Sequence, residues 1–401
     1  MSLTQAVDTP EQKVNGSTIL MLATGAGFAV ASIYYSQPML GILVNELHAG
    51  VSLVGLVPTL TQIGYALGIL LLAPLGDRHD RRHIIILKGV LLTLALLLSA
   101  FSGGITMLLI ASLAVGIAAT MAQDIVPAAA TISPAAKRGK TVGTVMTGLL
   151  LGILLSRVLS GFVAEYFGWR SMFVAAAIMV VTITLVIWRK LPAIPASTTM
   201  RYPDLLVSMR HLWTGYKPLR RATLAQALLS VGFSAFWSTL AVMLHDVYHL
   251  GSATAGMFGL AGAAGALAAP LAGTLADRRG PELVTRIGTS LATLSFAAMF
   301  LLPLLPAPWQ LALIVVSAIG FDFGVQSTLV SHQSIIFSPE PAARSRLNAL
   351  MFTGVFIGMA VGSALGSVIL EKAGWQGVVI LLTVAGLGSM LVRWMSRELT
   401  A

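Results

Sequence analysis

The sequence predicts an all-α membrane protein: twelve transmembrane helices in two six-helix bundles, related by a pseudo-twofold axis along the membrane normal. Three observations lead there. Only 10% of the 401 residues are charged while 56% are hydrophobic, too little polar surface to clothe a water-soluble fold of this size. The charges are confined to short stretches between long neutral runs. And markers in the first half of the chain recur about 200 residues later.

The neutral runs give the helices. Residues 14–45, 49–76, 89–123, 222–244, 250–276, 287–321, 347–370 and 373–392 contain no Asp, Glu, Lys, Arg or His. About 20 helical residues cross the roughly 30 Å hydrocarbon core, so the longest runs hold two crossings each. Residues 89–123 divide at Ser102-Gly103-Gly104, and residues 287–321 divide at Pro303, Pro306 and Pro308. The expected spans are 18–45, 51–75, 83–102, 105–130, 141–164, 170–188, 222–245, 252–275, 284–303, 309–336, 347–369 and 376–395. The first is too long for a signal-peptide core and is expected to be retained.

Orientation follows from the cations. With the N-terminus inside, every Lys and Arg except Arg157, Arg170 and Lys372 falls in or beside a cytoplasmic segment. Both termini are then cytoplasmic. The net charge of +10 is topogenic and implies no nucleic-acid partner. The chain lacks cysteine, which excludes disulfides and thiolate metal sites; no metal or cofactor is expected.

The repeat gives the bundles. LAPLGDRHDRRHII (72–85) has its partner in GTLADRRGPELVTR (273–286), with Asp77-Arg78 and Asp277-Arg278 at the same relative place. SPAAKRGKTVGTVMTG (133–148) pairs with SPEPAARSRLNALMFTG (338–354), and FGWR (167–170) with AGWQ (373–376). Six helices is an even number, so both copies share one orientation in the membrane. Residues 1–188 form the N-terminal bundle with its short cytoplasmic segment, 189–221 a cytoplasmic central loop, and 222–401 the C-terminal bundle. Within the loop, about 203–214 reads as an amphipathic surface helix.

GTLADRRG (273–280) resembles the signature loop of the major facilitator superfamily; the first copy departs from it at Ala73 and Asp80. IYYSQPML (33–40) and GLLLGILLSR (148–157) resemble bacterial efflux-type members, drug or sugar exporters of the inner membrane. ILLSR (153–157) lacks the Gly-Pro step that drug antiporters of the superfamily carry in the fifth helix. The resemblance implies that the first, fourth, seventh and tenth helices line a central cavity. It also implies that the loop carrying Asp77 packs against the start of the eleventh helix, and its twin carrying Asp277 against the start of the fifth. Asp77 and Asp277, with Arg78, Arg81 and Arg278 alongside, are therefore expected to latch the two bundles on the cytoplasmic side. A charge–dipole contact of that kind is worth about 0.3–1 kcal/mol, or about 2 when partly buried, weak enough to release.

Small residues recur every fourth position at Gly148, Gly152, Ser156 and Ser160 and again at Gly354, Gly358, Gly362 and Gly366. Such stripes let helices approach closely. They are expected at the interface between bundles, serving either rocking or static packing.

Ionisable residues inside a bilayer are costly and mark function. Asp322 lies mid-span in the tenth helix and Arg157 in the fifth, and Asp124 lies in the cytoplasmic half of the fourth; Lys88 and Arg286 are near enough to helix ends to snorkel. Asp322 and Asp124 are the candidates for proton coupling, with Arg157 as counter-charge. Asp322, Gln326 and Gln333 fall within about 40° on a helical wheel at 100° per residue, giving the tenth helix a polar face. Tyr34, Tyr35, Gln37, Gln123, Gln226, Phe236, Trp237, Gln326, Gln333 and Arg157 are the candidate substrate contacts, with Phe233 on the same face as Phe236 and Trp237. Pro38 is expected to kink the first helix. His332 reads as a hydrogen-bonded residue near a helix end.

No nucleotide-binding motif and no nucleophile–base pair is present, so a gradient rather than ATP supplies energy and no enzyme is expected. The leading expectation is a monomeric secondary transporter exporting a small organic compound, drug-like or sugar-like, against proton entry by alternating access. Its partners are that substrate, protons and the lipid bilayer. The alternative is uptake or facilitated passage of an anionic metabolite held by Arg157, and a remote one is a membrane enzyme or scaffold on the same fold.

Overall fold

The computed structural model describes residues 15–134, 137–337 and 343–395, and its regular structure is helical. The polar segment before the first span and parts of the SPAAKRGK and SPEPAARSR repeat lie outside those residues. A chain in hydrocarbon must satisfy its backbone internally, and these neutral runs do so as helices.

The first span is α1 (Gly16–Ala31), a 3₁₀ turn at Gln37–Met39 and α2 (Leu40–Glu46). The break comes where Pro38 removes a backbone donor, as expected. The second span is α3 (Val51–Val54) with α4 (Leu56–Arg78), the third α5 (Arg81–Ala100), and the fourth α6 (Ile105–Ala119) with α7 (Met121–Ile132). The fifth and sixth are α8 (Arg138–Phe167) and α9 (Trp169–Lys190). The central loop carries α10 (Tyr202–Gly215), matching the amphipathic segment read from the sequence. The second half repeats the order: α11 (Lys217–Tyr248), then α12 (Ser252–Phe258) and α13 (Ala263–Arg279) joined by a 3₁₀ turn, then α14 (Pro281–Ala298) and α15 (Ala307–Phe337). The last element, α16 (Arg344–Trp394), runs through the eleventh and twelfth spans and breaks at Gly374.

Nine helical stretches among the described residues, with α3–α4 and α6–α7 each taken as one and α14 with the 3₁₀ turn after it, are long and apolar enough to cross a membrane. With α16 counted as two crossings and the interrupted first and eighth spans added, the pieces are consistent with twelve. Side chains such as Leu94, Ile110, Leu294 and Val316 are more than half exposed around the outside, as a lipid-facing surface requires.

The duplication is visible in the backbone. Gly168 and Gly374, the matched glycines of FGWR and AGWQ, both adopt positive φ, 82° and 65°. Each turns the chain between two consecutive spans, in a conformation that a side chain would strain.

Helix packing corrects the reading of the small-residue stripes. A Cβ on Gly148 or Gly152 would lie 2.5 Å from the Ala23 carbonyl oxygen or 2.3 Å from that of Gly27, so this stripe seats α8 on α1. A Cβ on Gly358 or Gly362 would lie 2.2 Å from the Ala227 oxygen or 2.1 Å from that of Val231, so the second stripe seats α16 on α11. Both stripes pack within a half rather than between halves. The close approaches between halves use other residues. Gly161 meets the Ser252 carbonyl, Gly256 meets the Arg157 carbonyl, and Gly55 meets Ser367. The sequence shows that a stripe is smooth; it does not show which neighbour uses it.

Gly362→Val therefore forces α16 off α11 and is expected to cost about 3 kcal/mol. Thermal unfolding in detergent reads this directly. Gly143→Ala is the control, because nothing lies within 4 Å of its added carbon.

Candidate functional site

Arg157 sits at the meeting point of the two halves. It projects from α8 and is 3% exposed. Its Nε donates to Gln37 Oε1 at 2.9 Å, which fixes one edge of the guanidinium. The guanidinium carbon stands 4.4 Å from the Trp237 ring centre, 4.9 Å from Tyr34 and 5.7 Å from Phe233. Cations over aromatic faces are stabilised by the ring quadrupole, more so out of water.

Asp322 approaches from α15 in the other half, also 3% exposed. Its carboxylate lies against the backbone of the broken eighth span: a Cβ on Gly262 would stand 3.0 Å from Asp322 Oδ2. Its neighbours are the Arg157 guanidinium and the Trp237 indole, which faces its carboxylate as a hydrogen-bond donor. Among the described residues Arg157 and Asp322 form no direct ion pair, and Arg157 Nη2 and Gln37 Nε2 are buried without hydrogen-bond partners. Buried polar atoms usually find partners, so two unmet donors beside a buried carboxylate are notable.

The other sequence candidates are spread more widely. Phe236 is fully buried and packs edge-on against Phe321, Trp237 and Trp375, as core rather than at Arg157. Tyr35 lines an apolar groove between α1 and α8. Gln123 donates to the Tyr65 hydroxyl at 3.1 Å. Gln226 meets His332 Nδ1 at 3.0 Å and donates to the Val325 carbonyl at 3.3 Å. Gln326 lies against Gly265 of α13. Gln333 donates to Asn348 at 3.0 Å, tying α15 to α16.

Lys88 is a correction, and it involves Asp124. Lys88 does not snorkel; it is 3% exposed and its Nζ donates to Asp124 Oδ2 at 2.6 Å. Asp124 Oδ1 also lies against Gly76, where a Cβ would be 2.6 Å away, so the pair anchors the end of α4. Removing one partner of a buried pair leaves the other charge uncompensated, at a cost of about 3–5 kcal/mol. Lys88→Met should therefore lower the melting temperature sharply in detergent, and Lys88→Met with Asp124→Leu should recover most of the loss.

The two signature loops differ. Asp77 pairs with Arg81, whose Nε also donates to the Gly76 carbonyl at 3.1 Å. The Asp77 carbonyl accepts from the Ser197 and Thr198 amides at 2.8 and 3.1 Å. Asp77 shares a small hollow with Ser345, Arg346 and Ala349 at the start of α16, the neighbour the resemblance implied. Here α10 acts as a strap: Tyr202 Oη donates to the Leu71 carbonyl at 2.7 Å, and Arg346 donates to Ser208 at 2.8 Å. Asp277, by contrast, is exposed and makes no hydrogen bond or ion pair among the described residues, as do the exposed Arg78 and Arg278. Residues 135 and 136, at the start of the fifth span where the resemblance places its partner, lie outside the described residues. The central loop that contacts the first copy has no second counterpart among the described elements.

The opposite end carries a symmetric pair of contacts that the sequence reading missed. Glu371 Oε2 accepts from the Ser52 amide at 2.8 Å, and Glu165 Oε2 accepts from the Ala253 amide at 2.7 Å. Each carboxylate from the end of one half meets the first turn of a helix in the other, where free N–H groups and the helix dipole favour an anion. Their repeat is present in the sequence: EYFGW (165–169) matches EKAGW (371–375), each glutamate two residues before its matched tetrapeptide. Deeper in, Gln62 Nε2 donates to Ser234 Oγ at 3.0 Å across the same divide.

A sequence profile of the Major Facilitator Superfamily matches residues 22–338. The chain belongs to the major facilitator superfamily. It is 35% identical over 386 residues to the Escherichia coli O157:H7 transporter YgaY, covering 96% of this chain and 97% of that one. The E. coli K12 inner membrane transport protein YnfM is 25% identical over 313 residues, 71% of each chain. Among solved structures, a D-xylose–proton symporter superposes with TM-score 0.75 at 17% identity, covering 96% and 98% of the chains. An inward-facing bacterial homologue of the human lysosomal transporter Spinster gives 0.74 at 17% identity, covering 96% and 98%. These likenesses place the fold. With the family they make this superfamily member a multi-pass membrane transporter.

Proposed function

We propose that this superfamily member is an alternating-access exporter of a small organic compound, driven by proton entry across a bacterial inner membrane. One observation carries the reading: Arg157 and Asp322, one charge from each half, are buried at the divide, with two unmet donors beside the carboxylate. An intramembrane carboxyl in that position is a proton carrier by the usual logic of membrane electrostatics. Asp322 takes that role. Asp124, committed to Lys88, is better read as an anchor of the signature loop.

The end bearing Asp77 is the cytoplasmic one, from the bias of Lys and Arg toward it. The Asp77 loop with the α10 strap would then hold the inner end, and the Glu165 and Glu371 contacts the outer end. Opening one end breaks its set while the other persists.

The test is reconstitution of the purified chain in liposomes under an imposed pH gradient, with a panel of organic compounds. Export predicts that acidifying the side opposite the substrate drives its movement and that a protonophore abolishes it. Movement with the proton, or indifference to the gradient, would favour uptake or facilitated passage instead.

A further inference from the structure

We propose that the central site binds a small zwitterion: a compound with an apolar body carrying both a carboxylate and a protonated amine. The proposal rests on the transport reading and deepens it by naming the substrate's chemistry.

The polar atoms at the site are unequal in kind. Arg157 Nη2 and Gln37 Nε2 are unpartnered donors, while Asp322 is a buried carboxylate that the Trp237 indole alone faces as a donor. Their residues are 3% exposed or less, so water at the protein surface does not satisfy them. A donor cluster built around a guanidinium suits a carboxylate, which accepts in bidentate fashion. A single carboxylate oxygen suits an ammonium.

Simpler classes leave a charge stranded or lose the exchange. A monoanion would satisfy Arg157 and leave Asp322 either charged and unmet or protonated, so that it binds together with the proton rather than in exchange for it. A plain amine would satisfy Asp322 and leave Arg157 unmet. A neutral sugar would desolvate both charges without neutralising either, which is costly in low dielectric. The zwitterion matches both, and the rings of Tyr34, Phe233 and Trp237 offer its body an apolar wall. The arrangement also explains exchange. The substrate ammonium and a proton compete for one carboxylate, so either can occupy Asp322 but not both.

The experiment uses the full chain and two triads of probes: L-leucine with 4-methylpentanoate and 3-methylbutylamine, and L-phenylalanine with 3-phenylpropanoate and 2-phenylethylamine. Binding is followed by calorimetry, with D-xylose as the neutral comparison. In at least one triad the zwitterion should bind at least about thirtyfold tighter than either single-charge relative, the equivalent of the 2 kcal/mol or more that losing one buried charge partner costs. Arg157→Gln should erase the advantage over the amine, and Asp322→Asn the advantage over the acid. Both comparisons are made within one variant, so partial loss of folded protein does not imitate them. Equal binding of a single-charge relative, preference for the sugar, or no binding by either triad would overturn the proposal. Proton movement in liposomes separates the two readings. If the acid, amine or sugar probe moves protons and no zwitterion does, the substrate class is wrong while proton-coupled transport stands. If a zwitterion binds as described but moves no protons, the substrate class stands and the coupling reading falls.

Discussion

Asp322→Asn is expected to lower gradient-driven transport by at least about thirtyfold, the equivalent of the 2 kcal/mol or more that loss of a buried charge partner costs. The asparagine keeps the shape of the side chain beside Gly262 but carries neither a charge nor a removable proton. Transport coupled to a pH gradient should therefore collapse. Counterflow exchange between equal pH on both sides, which needs binding but no net proton transfer, should fall only by the weakened binding, while gradient-driven transport loses both binding and the proton step. Asp124→Asn provides the contrast. Its partner Lys88 is buried beside it, at 2.6 Å, so that variant should lose stability and retain proton coupling in whatever fraction stays folded. Solid-supported membrane currents and thermal unfolding, measured on the same preparations, separate the two effects. Normal coupled currents in Asp322→Asn would remove it from the mechanism.

Glu165→Gln combined with Glu371→Gln is expected to shift the balance of conformers toward opening at their end by roughly tenfold. Each carboxylate accepts a charge-assisted hydrogen bond from a helix N-terminus, but both side chains are exposed, so screening limits each contact to about 0.7 kcal/mol. Glutamine retains an acceptor and loses the charge that the helix dipole favours. Single variants should give about half the free-energy change of the pair, because the two contacts lie on separate helices and share no partner. Raising salt should diminish the difference between the parent chain and the double variant. Pulsed electron–electron distance measurements between spin labels across the divide read the populations. An unchanged distribution in the double variant would mean that these contacts follow closure without stabilising it.

The helices were legible in the sequence because lipid leaves a chain few options: neutral runs of the right length, bounded by charges and glycines, become spans. Pro38, the amphipathic α10 and the Gly168/Gly374 pair were readable for the same local reason. Pairings across the fold were not. Lys88 stands near the start of α5 and looked able to reach water, yet its position facing α7 turns it toward Asp124. The depth of one residue on one helix does not reveal what stands beside it. The glycine stripes failed in the same way, since smoothness has no address. Asp277 shows a different limit. Duplicated sequence implies duplicated local structure, but its surroundings need not be duplicated, and α10 has no counterpart in the second half. Within the site, Arg157 and Asp322 were found from the cost of charge in lipid. The missed contribution was the pair of glutamates at the end opposite Asp77, whose repeat was visible but lay at helix ends where charge is unremarkable.

The most direct test of alternating access is a pair of distance measurements in one preparation. The chain has no native cysteine, so labels can be placed without background. Asn45→Cys with Val247→Cys reports on the end closed by Glu165 and Glu371, and His79→Cys with Arg344→Cys on the end bearing Asp77. Changing pH or adding a transported compound should lengthen one distance as the other shortens. Distances that lengthen together, or that stay fixed while transport proceeds, would contradict two halves rocking about a shared central site.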